Sequence, residues 1–120
     1  MSELTWAEMR AKSEDLFDQG KANAADPDTA QPLFLEAAEC LQQALQAYVQ
    51  EPQASYATVE RMAVGLVAMH HLAGQQKLAR AVLEVFVIIN KDQISRWASE
   101  QLETLAEAIG TAEEAGNEYN

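Results

Sequence analysis

Cysteine is almost absent from this 120-residue chain: Cys40 stands alone, so no disulfide within the chain can staple its fold. Basic residues are scarce too. Eight Lys and Arg face 19 Asp and Glu, and the net charge of -11 excludes the basic stripe by which a protein holds nucleic acid or an anionic membrane. No apolar run reaches the ~18 residues of a membrane span. The first twenty residues carry Glu3, Glu8, Glu14, Asp15 and Asp18 where a signal peptide needs an uninterrupted apolar core, so the chain reads as soluble and cytoplasmic. The five glycines, at 20, 65, 74, 110 and 116, are too scattered to build a phosphate-cradling loop. What is present is an ordinary globular balance, 48% apolar and 22% charged, sized for one domain. At this length roughly two thirds of the unfolded surface can be buried, so a single core needs no metal to support it.

Helical periodicity fills most of the chain. Thr5 with Glu8 three residues on makes a capping box, and Trp6, Met9, Leu16 and Phe17 then recur at helical spacing to about Ala24. The stretch Ala25 to Pro32 holds two prolines, two aspartates and a threonine and reads as the longest break. A second amphipathic helix, from about 33 to 50, carries Phe34, Ala37, Leu41, Ala44, Leu45 and Tyr48 on one face and stops before Pro52. Ser55 can cap a third that runs to Ala73, with Gly74 as its left-handed stop; its apolar residues cover nearly the whole circumference, which makes it central. Residues 75 to 90 end in the β-branched run Val82 to Ile89, yet no second strand exists to pair with it, so a fourth helix is expected. Asp92 then caps a fifth from about 93 to 110, and residues 111–120 form a flexible acidic tail behind a helical domain of residues 1–110. The fold class is therefore all-α, about five antiparallel helices, with Trp6, Phe17, Leu41, Leu45, Leu66, Leu83, Phe86 and Trp97 in the core.

Groups that could carry chemistry do not converge in the sequence. His70 and His71 are adjacent, about 100° apart on a helix, and cannot chelate one metal together. Cys40 has no partner cysteine and only distant histidines, and reads as a small packed side chain. Glu36 with Glu39, Glu100 with Glu103 and Glu103 with Glu107 share helix faces, but no histidine follows a Glu at di-metal spacing, so these are solvated faces. No cofactor or metal is expected. Charge is uneven: residues 1 to 52 carry three basic and ten acidic groups, residues 53 to 91 four basic and two acidic, and residues 92 to 120 one basic and seven acidic. The middle helices are thus either covered by the acidic flanks or docked by a partner.

Two segments repeat one another. Ala37, Leu41 and Ala44 set a small, a large and a small residue at intervals of four and three, and Ala79, Leu83 and Phe86 fall at the same intervals. Leu16 with Gly20, and Met62 or Val64 with Gly65, supply the preceding helices, and Pro52 stands where a unit would close. Over roughly residues 5 to 90 the chain resembles the tetratricopeptide repeat, departing from it in the extra Ala25 to Pro32 segment, in the missing aromatic pair of the first helix and in Phe86. A plain five-helix bundle satisfies the same periodicity. The resemblance implies helical hairpins with the fifth helix as a terminal cap, and a non-catalytic adaptor or small chaperone that binds a helix or peptide of another protein. It implies further that the first helix of each unit lines the binding face, which singles out Phe17, Lys21, Met62, Met69 and His70. The alternative is a ligand-binding or enzymatic bundle with a pocket near His70. Phe86, Val87, Ile88 and Ile89 offer more apolar surface than one contact face covers, and point to a homodimer.

Overall fold

The computed structural model describes residues 4–117, and every regular element among them is a helix: α1 Trp6–Ala22, α2 Pro27–Tyr48, α3 Tyr56–Leu72, α4 Gln76–Asn90 and α5 Arg96–Asn117. Connections of three to seven residues turn each helix back on its predecessor, and every consecutive pair packs together. α3 touches α2, α4 and α5 and is the central helix its apolar circumference predicts. Extents of 47 × 39 × 21 Å describe a slab two helices thick.

The caps explain most boundaries. The Thr5 hydroxyl accepts the Glu8 N–H at 3.1 Å while the Glu8 carboxylate accepts the Thr5 N–H at 3.1 Å, the reciprocal pair expected for α1. Ser55 caps α3 by accepting the Thr58 N–H, and Gly74 ends that hairpin arm with φ +81°. Residues 82 to 89 are helical, as the lack of a pairing strand requires.

Three expectations are corrected. The break before α2 is only Asn23 to Asp26, because Pro27 occupies the first helical position, where its missing N–H would have no partner anyway. Pro32, inside the helix, forfeits one backbone bond on an exposed face while Ala30, Phe34 and Ala37 hold the opposite face in the core. α5 starts at Arg96 with Ser95, not Asp92, as its cap, since the Ser95 Oγ accepts the Ala98 N–H at 3.1 Å. α5 also continues past Gly110 to Asn117, so residues 111–117 belong to the helix instead of a tail; Arg80 on α4 donates from Nε to Glu113 at 2.9 Å and draws this last stretch onto the hairpin.

The interior is divided by α3. Leu16, Ala37, Ala38, Leu41, Ala44 and Tyr48 pack on its Met62, Leu66 and Met69 side, and Ala79, Phe86, Ala98, Leu102 and Ile109 on its Ala63, Val64 and Val67 side. Of the expected core, Leu41, Leu66 and Phe86 are buried, while Trp6, Phe17, Leu45 and Leu83 lie half-buried against the clusters. Trp97 is the exception, 46% exposed, because α5 turns Ala98, Leu102 and Ile109 inward and leaves the preceding position on its flank. Ser13, fully buried, donates its hydroxyl to the Ala37 carbonyl at 2.8 Å and so ties α1 to α2 through an otherwise apolar contact.

Candidate functional site

α3 packs against both α2 and α4, yet among the described residues those two share no extended interface with each other. The space between them is an apolar groove of about 400 Å³. Leu45 and Val49 from the end of α2 form one wall, Val59 and Ala63 of α3 the floor, and Val82, Val85, Phe86 and Ile89 of α4 the other wall. Val49 at the C-terminal end of α2 and Ile89 at the C-terminal end of α4 both line it. Asn90 is the only polar residue in the lining, and its amide is occupied: Nδ2 donates to the Phe86 carbonyl at 3.0 Å and Oδ1 accepts from Gln93 at 3.1 Å. Nothing in the groove can transfer a proton or attack a substrate. Its rim is unusually bare, with Val85 54%, Ile88 73% and Ile89 71% exposed.

The five residues singled out by the repeat resemblance are not brought together. Met62 and Met69 are buried in the first cluster, filling the interior, and cannot present themselves to a partner in this structure. His70 is also buried. Its Nδ1 lies 3.1 Å from Gln75 Oε1, which suits a neutral ring donating from Nδ1, and Nε2 is enclosed without a partner. Burial lowers its pKa, with the Gln75 contact opposing. His70 does not line the groove. Phe17 and Lys21 do reach the surface of α1, where the Lys21 ammonium sits 4.8 Å from the Phe17 ring centroid and 3.4 Å from Asp18. Of the four residues expected at a dimer contact, Phe86 and Val87 turn inward to the second cluster and only Ile88 and Ile89 face solvent.

A second feature went unread in the sequence. Glu60 on α3 is buried, and its carboxylate accepts the Ser95 N–H at 2.9 Å and the Ser95 hydroxyl. Burial alone would raise its pKa, but the bonds from Ser95 prevail and hold it below the usual range, so the group is ionised. The Tyr56 hydroxyl nearby is enclosed, and burial, then its contact with the Glu60 carboxylate, push its pKa up to about 12. A cavity of about 420 Å³ opens beside Glu60 and Ser95, lined by Ala57, Arg61 and Trp97 as well. Both carboxylate oxygens already serve the start of α5, which makes the arrangement an anchor. Cys40 is half-buried, and burial pushes its thiol pKa up, with Lys12 opposing, which leaves it protonated and unreactive.

Among the described residues no three His, Cys, Asp or Glu side chains converge on a possible metal position, and no helix is long and apolar enough to cross a membrane. Fold and groove together define an all-α protein with an open apolar slot between α2 and α4. Comparison with family models, curated proteins and solved structures gives no match for this chain.

Proposed function

We propose that this protein is a non-catalytic interaction module of the cytoplasm, a tetratricopeptide-like adaptor or small chaperone that receives an amphipathic helix of a client protein in the groove between α2 and α4. The observation that carries this reading is the groove itself: a slot with helical walls and an apolar lining, whose single polar side chain is already satisfied. An amphipathic helix enters such a slot by placing apolar anchors three, four and seven residues apart on one face. Two helical hairpins in series followed by α5 are the arrangement that a degenerate repeat pair with a terminal cap would adopt, although the groove lies between the second helices of the two pairs and not on the first helices to which the resemblance points.

Capture from the source cells tests it. The wild-type chain and Val85→Glu are used as baits, because Val85 is exposed enough for the variant to fold yet walls the groove. A polypeptide retained by the wild type and lost by Val85→Glu, with unchanged helical content in both baits, supports the groove. Retention that survives Val85→Glu but is lost in Lys21→Glu moves the site to α1 and overturns the reading.

A further inference from the structure

α4 presents a third face that the fold does not use. Leu78, Ala81, Val85 and Ile88 are all exposed, and they follow one another at intervals of three, four and three. That is the spacing of a helix-pairing seam, in which successive side chains stay in register along a second helix. The seam runs along the edge of the groove, since Ala81 and Val85 belong to both.

We propose that a second copy of this chain covers this face, the α4 helices of the two copies lying antiparallel across a two-fold axis near Val85, each ridge seated in the other's groove. The inference rests on the groove as a helix site and names what occupies it when no client is present. Three observations select a second copy. Rib and slot lie side by side on one surface, and an isologous contact needs both on every copy. The charge pattern favours this face, because residues 53 to 91 carry four basic and two acidic groups while the rest of the chain is strongly acidic, so here two copies approach with least repulsion. Lys77 and Asp92, both exposed and in no ion pair among the described residues, flank the seam at its two ends. An antiparallel pair centred beside Val85 sets each Lys77 next to the other copy's Asp92. The opposed helix dipoles agree with that orientation. Exposed parts of Val49, Val85, Ile88 and Ile89 supply roughly half of the ~800 Å² per partner of a standard interface, which makes the dimer reversible and open to displacement by a client helix.

Sedimentation equilibrium on the full chain, from low micromolar to several hundred micromolar, is the test. Dimer is expected, and Ile88→Glu should weaken it by about a hundredfold or more, since the two-fold axis counts the change twice. Ile88 is so exposed that circular dichroism should stay unchanged. Lys77→Asp and Asp92→Lys should each weaken association by about tenfold, and the double exchange should restore it. A wild type that is monomeric throughout, a dimer indifferent to Ile88→Glu, or a charge exchange that fails to restore association overturns the proposal. The client reading fails separately: a monomeric wild type that still loses its captured protein on Val85→Glu keeps the groove's client and removes the dimer, whereas a wild type whose dimer is weakened by Ile88→Glu but whose captured protein survives Val85→Glu does the reverse.

Discussion

The Glu60 carboxylate on α3 takes both the N–H and the hydroxyl of Ser95, while the Ser95 oxygen in turn accepts the Ala98 N–H, so a buried anion on one helix fixes the first turn of another. The N-terminal end of a helix carries partial positive charge, which makes it a fitting counter-group for a carboxylate that has no Lys or Arg among its hydrogen-bond donors. Glu60→Gln keeps the volume but replaces one acceptor oxygen with a donor. It should cost about 2 kcal/mol, the value of a hydrogen bond to a charged group, and Ser95→Ala should cost about 1 to 2 kcal/mol through loss of the cap. Urea titrations of both variants and of the double variant should show strong non-additivity, because either change breaks the same contact.

Acidification should act in two stages. His70 has a lowered pKa in the folded chain, so below its ordinary value of 6.5 the unfolded chain takes up the proton more readily and stability falls as pH drops. Glu60, also lowered, contributes stability above the ordinary carboxylate value of 4.5 that is lost as pH falls through its folded value. The urea midpoint measured against pH should therefore decline first below about 6.5 and again below about 4.5. His70→Leu should flatten the first decline and leave the second.

Gly20 lies in the middle of the contact between α1 and α2, where a Cβ would come 2.6 Å from the ring of buried Phe34. Alanine normally gains about 1 kcal/mol over glycine inside a helix. Here that gain is outweighed, because the Phe34 ring is itself held against Phe17 at 5.6 Å and overpacking a fixed ring costs about 1 to 3 kcal/mol. Thermal melts of Gly20→Ala should show a lower midpoint than the parent.

Removing residues 92 to 120 takes away α5 and uncovers the side of the second cluster that Ala98, Leu102 and Ile109 close. The fragment should aggregate and scatter light at concentrations where the full chain forms nothing larger than a dimer. A fragment that behaves like the parent would show that α5 contributes little to the interior.

Much of the fold was legible because periodicity, caps and Gly74 act locally: α1, α3 and α4 begin and end within two residues of the positions that pattern predicts. Pro27 and Pro32 misled because composition marks a turn, whereas a proline at the first helical position costs nothing and the burial of Phe34 and Ala37 supports the helix around the other. The start of α5 was hidden because its cap is held by Glu60, 35 residues away, a contact no spacing rule reaches. The candidate site was half legible. Ile88 and Ile89 stood out as surplus apolar surface, but the groove depends on α2 and α4 standing apart on α3, and that separation is a tertiary fact. Met62 and Met69 fit a binding face by chemistry and the core by position, and burial decided for the core.

α3 gives one side to each apolar cluster, so neither half of the molecule owns a complete interior. Fraying of α1 or α5 strips one side of it and leaves the other closed, whereas opening α3 dissolves both clusters together. The backbone amides of Met62 to Met69 should then be the last to exchange with deuterated water, at the free energy of global unfolding, while those near the ends of α1 and α5 exchange through smaller openings. Two clusters thus melt as one cooperative unit, and a substitution on α3 is felt on both sides of the slab.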